Sequence, residues 1–169
     1  MELQLPLRGW AWRAPDWSAA VVAGLAAGAV LMVLDLVWPL MFGNGDPWAT
    51  SHKIAALLLG QQALQSSGFD FGVVAAALLT HYTLGVFSGL VIGTAIASLG
   101  WETSLVMTQV TGYVFGVVVY IMNFYVLASL FPWFEDMRGE ATFLGQLAFG
   151  VSAALIYRKL SLSRAVTTS

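Results

Sequence analysis

The sequence predicts an all-α membrane protein: four transmembrane helices built as two parallel-repeat helical hairpins, plus a short interfacial helix in the first outer loop. Three observations predict it. Of the 169 residues, 59% are hydrophobic and 9% charged, whereas a soluble domain carries roughly a quarter charged residues. Four apolar stretches each come near the length of about 20 residues that crosses a bilayer. Small residues recur every fourth position within those stretches, and the pattern of the first pair returns in the second.

The first span is expected at about residues 17–42. It is too long for a signal-peptide core, carries Asp35 within it and has no A-x-A-like site before Gly43, so it reads as retained. The first outer loop follows. Asn44-Gly45-Asp46-Pro47 is turn chemistry, and Thr50 or Ser51 can cap a helix over about 52–64. That helix is too short to span and reads as an interfacial piece. Ser66-Ser67-Gly68 ends it. The remaining spans are expected at about 71–99, 104–131 and 141–157, in a single membrane domain covering 1–169. Spans two and three exceed the minimum, which predicts tilt or projecting ends.

Basic residues orient the chain. Arg8 and Arg13 precede span one, and Arg158, Lys159 and Arg164 follow span four. Lys53 and Arg138 alone lie in the loops on the other side, so both termini are expected in the cytoplasm. Trp10, Trp12, Trp17 and Trp101 then fall at the inner interface, and Trp38, Trp48, Trp133 and Phe134 at the outer one.

The repeat is read from two ladders. Gly24, Gly28 and Asp35 match Gly112, Gly116 and Asn123 at an offset of 88. His81, Gly85, Val86, Gly89 and Leu90 match Gln146, Gly150, Val151, Ala154 and Leu155 at an offset of 65. Two hairpins of the same orientation would be related by a pseudo-twofold axis along the membrane normal. The small residues, with Gly93 continuing the ladder of span two, are expected to pack helix against helix, since close backbone approach drives association in lipid. A stripe could instead dock a partner helix.

Each span sets one strongly polar residue on its small-residue face: Asp35, His81, Asn123 and Gln146. All four are expected in the outer half, as a polar cluster. An Asp at the centre of a membrane helix costs about 2.5–3.5 kcal/mol on insertion scales, so Asp35 calls for a partner or a proton, and His81 is the candidate partner. Three roles stay open for the cluster: interhelical hydrogen bonding, proton or ligand handling, and a metal or haem on His81. One Asp and one His make a poor metal site, and bis-histidine haem ligation would require His52 to fold into the bundle. No cofactor is required by the sequence. Tyr82, Tyr113, Tyr120 and Tyr125 read as packing or belt residues. Glu135, Asp136 and Glu140 form an acidic loop around Arg138.

A net charge of −2 with no basic run argues against a nucleic-acid partner. The absence of cysteine removes disulfides, thiolate metal sites and cysteine nucleophiles. No phosphate-binding loop, HExxH, serine elbow or paired catalytic carboxylates occur, which argues against an enzyme. Along Trp48-Ala-Thr-Ser-His-Lys-Ile-Ala-Ala-Leu-Leu-Leu-Gly60 and Asn123-Phe-Tyr-Val-Leu-Ala-Ser-Leu-Phe-Pro-Trp-Phe134, the chain resembles a group of small bacterial four-helix membrane proteins. That resemblance implies a bacterial inner membrane and no particular reaction. The first expectation is an accessory subunit of a larger membrane complex, such as a respiratory or redox assembly. The alternatives are a small oligomeric transporter or channel around Asp35 and His81, and a haem- or quinone-binding protein. Expected partners are the bilayer and other membrane subunits or further copies of the chain.

Overall fold

The computed structural model describes residues 14–42 and 46–167. Arg8, Arg13, Trp10 and Trp12 of the expected inner flank, and Asn44-Gly45 of the expected turn, lie outside the described residues. Among those described every secondary-structure element is helical and none is a strand. Helix α1 is Trp17–Phe42, α2 Ala49–Leu59, α3 Phe71–Leu99, α4 Leu105–Ile121 and α5 Glu140–Thr167. Four stretches are long and apolar enough to cross a membrane: Trp17–Phe42, Phe71–Leu99, Leu105–Ser129 and Glu140–Arg164.

The ends of the helices follow from side-chain chemistry. The Asp70 carboxylate accepts the Val73 N–H at 3.0 Å and caps α3. Ser104 caps α4 by accepting from the Met107 N–H. Gly100, at φ 65°, closes α3 in the left-handed conformation that a side chain disfavours. Helix α2 begins earlier than expected and neither Thr50 nor Ser51 caps it. Its entry is held instead by Asp46, whose carboxylate accepts the Trp48 N–H at 2.9 Å. After Gly60 it continues as a 3-10 turn, Gln61–Leu64. Helix α5 runs well past Tyr157. Charge limits how deep a helix sits in lipid but does not end it, and Arg158 donates to the Glu102 carbonyl at 2.8 Å.

Two helices have an interruption in their hydrogen-bond pattern near a polar residue. Pro39 lies inside α1 and has no N–H, so the carbonyl of Asp35, four residues earlier, lacks its helical donor. Helix α4 passes at Met122 into a π-helical stretch, Met122–Val126, which contains Asn123.

The spans are laid side by side in the order α3, α1, α5, α4. Helices α1 and α5 pack along their faces, while α3 and α4 touch only lightly. The α1–α3 seam is backbone on backbone. A Cβ on Gly24 would run into the Gly85 carbonyl, one on Gly89 into the Ala20 carbonyl, and one on Gly28 would lie 3.4 Å from the His81 ring. The α4–α5 seam has the same character. A Cβ on Gly112 would fall 2.8 Å from the Gly150 carbonyl, and one on Gly116 would fall 2.5 Å from that of Gln146. Between the seams, Ala19, Ala23, Ala27 and Leu31 of α1 meet Phe149, Ala153 and Tyr157 of α5 in the main core. Gly93 backs onto the Tyr157 ring. The glycine ladder residues expected to pack helices therefore do so within the chain.

The short helix α2 covers one end of the bundle. Its Ala55 and Ala56 pack on Val73, Ala76 and Ala77 of α3. The Trp133 indole N–H donates to the Lys53 carbonyl at 3.1 Å, which joins α2 to the loop between α4 and α5.

Candidate functional site

Asp35 lies in the half of α1 nearest α2. No hydrogen bond or ion pair to its carboxylate is found among the described residues. It lines two cavities at once. One, of about 230 Å³, lies between α1, α2 and α3 and includes Met32, Trp48, Ser51, Ile54, Val74 and His81. The other, of about 340 Å³, lies between α1 and α5 and includes Trp38, Pro39, Thr142 and Gly145. Thr50 of α2 borders both. Small-molecule pockets run from about 300 to 1,000 Å³, mostly apolar with a few convergent polar groups, and these cavities fall at the lower edge of that class.

His81 does not pair with Asp35 as expected. Its Nε2 lies 2.8 Å from the Gly28 carbonyl, where only a ring N–H makes a bond. The physical reason is register. The seam seats Gly24 on Gly85 and Gly28 on His81, and Asp35 is seven residues beyond Gly28, about 10 Å along the axis at 1.5 Å per residue. Val74 falls opposite Asp35 in that register, and it lines the cavity. His81 therefore forms the far wall of the cavity rather than an ion pair. Its engaged Nε2 leaves Nδ1 alone for any haem or metal. Among the described residues no three His, Asp or Glu side chains gather in a way that could hold a metal ion.

The other two polar residues stand apart. Gln146 is buried on the α4–α5 seam, its Oε1 without a donor. Asn123 is half-buried in the π-helical stretch of α4. Neither lines the Asp35 cavities. Of the four expected members, the structure brings two together.

Neither family models, curated proteins nor solved structures match this chain. The chemistry of its site therefore rests on its own geometry.

Asp46 and His52, read from the sequence as a turn residue and as a second histidine, instead hold the loop that covers the cavity. Asp46 accepts from the Gly68 N–H at 2.7 Å as well as from Trp48. These two amides, Gly68 first, hold its carboxyl below the ordinary aspartate range, with a smaller contribution from the nearby His52. His52 is buried, with Nδ1 2.8 Å from the Ala63 carbonyl and Nε2 2.9 Å from that of Gly68. Ser66 also approaches Nδ1, at 3.3 Å. A neutral ring carries one N–H and serves only one carbonyl as donor. His52 thus staples the loop after α2 to its start. The signals for this in the sequence are the turn at Asp46 and a histidine on the apolar side of a short helix.

At the opposite end, the Asp16 carboxylate meets the Arg164 guanidinium at 2.8 Å, and Arg164 also contacts Ser18. The Tyr157 hydroxyl accepts the Asp16 N–H at 3.3 Å. Partial burial pushes the Asp16 carboxyl up, but the Ala19 N–H, the Ser18 hydroxyl and Arg164 together hold it below its usual value. In the acidic loop, Arg138 pairs with Glu135 at 3.3 Å, stacks 4.5 Å over the Tyr125 ring and donates to the Phe124 carbonyl. That last bond serves a carbonyl in the π-helical stretch.

Proposed function

We propose that this chain is a small membrane transporter or solute-binding protein whose working site is the pair of cavities around Asp35. The observation that carries the proposal is a carboxyl group without a partner, at the junction of two cavities, inside a membrane-spanning helix. Ionisable residues within membrane spans are costly and by default mark substrate or ion pathways. An interhelical bonding role would give Asp35 a donor, and among the described residues it has none.

The same proposal takes the bundle to be two repeated hairpins, α1–α3 and α4–α5. Equivalent registers support this: Gly24 on Gly85 corresponds to Gly112 on Gly150, and Gly28 by His81 to Gly116 by Gln146. The pseudo-twofold is not closed, since α1–α5 is an extensive contact and α3–α4 a slight one. In this reading α2 lies at the outer interface, both termini are cytoplasmic, and the membrane is a bacterial inner membrane.

An accessory subunit of a larger complex is the second reading. It keeps the support of small size and apolar outer faces but loses that of the glycine stripes, which pack within the chain. A haem or quinone protein would have to use the remaining nitrogen of His81.

A lipophilic carbodiimide tests the site, because it modifies carboxyl groups reachable from an apolar phase. Asp35 is expected to be labelled in native membranes, as read by peptide mass spectrometry. The reagent adds to the protonated acid, so the labelling is run from acid to neutral pH, and no adduct at Asp35 anywhere in that range would refute an accessible cavity. Purification from native membranes in mild detergent tests the second reading. Stoichiometric larger subunits would favour an accessory role, and elution alone or as a symmetric oligomer would favour transport.

A further inference from the structure

We infer that the cavities around Asp35 take a lipophilic organic cation, its charge held against the Asp35 carboxylate and its apolar body against the walls of α1, α3 and α5. The inference rests on the site proposed above and adds the class of ligand.

Charge complementarity selects that class. Asp35 carries the one carboxylate on the cavity walls, and its carbonyl lacks the helical donor that Pro39 cannot supply; the other polar side chains there, the Thr50, Ser51 and Thr142 hydroxyls and the Trp38 and Trp48 indoles, are uncharged. No Lys or Arg lines either cavity, so the chain provides no counter-cation there. His81, the other titratable group on the walls, turns its Nε2 to the Gly28 carbonyl. An anion would face the Asp35 carboxylate with no cation on the walls to offset it. A bare metal cation needs six or more converging oxygens if it is hard, and it would leave most of the volume unfilled. A lipid acyl chain would fill the volume and leave the carboxylate alone in a poorly solvated place. A cation with an apolar body satisfies both the walls and the charge, and the Trp48 ring at the cavity edge adds a face suited to it.

The test uses the full chain purified in mild detergent and radiolabelled methyltriphenylphosphonium as probe. Saturable binding is expected, at least tenfold weaker in Asp35→Asn and largely kept in Asp35→Glu. Triphenylphosphine oxide, nearly the same shape without the charge, should not compete. Equal binding by Asp35→Asn, or competition by the neutral oxide, would overturn the inference and mark the cavities as unspecific apolar space. A second readout needs no variant: the phosphonium, and not the oxide, should slow carbodiimide labelling of Asp35 in the wild-type chain. Labelling without protection would overturn the cation and leave the accessible site standing. No labelling at all would remove both.

Discussion

Single residues carry the sharpest consequences. Gly24 and Gly89 have backbone where a Cβ would go, so Gly24→Ala and Gly89→Ala must push α1 and α3 apart. Overpacking of this kind costs typically about 1–3 kcal/mol. Thermal unfolding in detergent should show a clear fall for both, and no change for Gly139→Ala, which meets open space. His52→Ala removes the ring set between the Ala63 and Gly68 carbonyls; since a neutral ring donates to only one of them, the cost is about 1–3 kcal/mol for one buried group left unsatisfied. Faster proteolysis within residues 60–70 is the measurement. Asp46 sets the pH dependence of the same loop. Its carboxyl is depressed in the folded chain, so its stabilisation is complete above the ordinary aspartate value of about 3.9 and is lost as pH falls through the lower folded value. Cleavage of the loop by pepsin should therefore accelerate only in strongly acid solution, and Asp46→Asn should flatten that rise.

At the scale of the element, α1 is shaped by one proline. Pro39 removes a hydrogen bond from the last turns of the helix. Pro39→Ala is expected to raise the unfolding temperature and, by covering the Asp35 carbonyl, to weaken phosphonium binding. A variant that gained stability and bound as before would show that this carbonyl does not belong to the site. The seams make a paired prediction. Gly112→Ala and Gly150→Ala should destabilise α4–α5 about as much as Gly24→Ala destabilises α1–α3, because each directs a Cβ at facing backbone. A large disparity between the pairs would mean that the two hairpins are not mechanical equivalents.

The whole molecule has a tight end and an open one. Close glycine packing and the Tyr157 core lie toward the α3–α4 connection, while the cavities lie under α2. The chain has no cysteine, so single cysteines report sidedness directly. Gln65→Cys and Gly139→Cys should react with an impermeant maleimide from outside intact cells, and Thr103→Cys only after lysis. The reverse pattern would invert the proposed orientation and carry the Asp35 cavities to the cytoplasmic half.

Much of this architecture was legible in the sequence, because transfer of an apolar stretch into lipid depends on its composition and length alone. Spans one and two coincide with α1 and α3, and the glycines of the four-residue ladders lie close to the backbone or side chains of a neighbouring helix. The expected span four ends at Tyr157, whereas the helix α5 continues through Arg158 and Lys159 to Thr167. The candidate site was half legible. Asp35 and His81 stand out as polar residues in apolar runs, but their relation depends on antiparallel register, which brings Gly28 rather than Asp35 to His81. Helical character, the number of helices able to span and the faces small enough to touch are properties of local composition, and the amino-acid order alone sets them. That Asp35 is left without a partner between two cavities emerges only in the folded bundle, because pairing across helices is set by where backbones come to rest against one another.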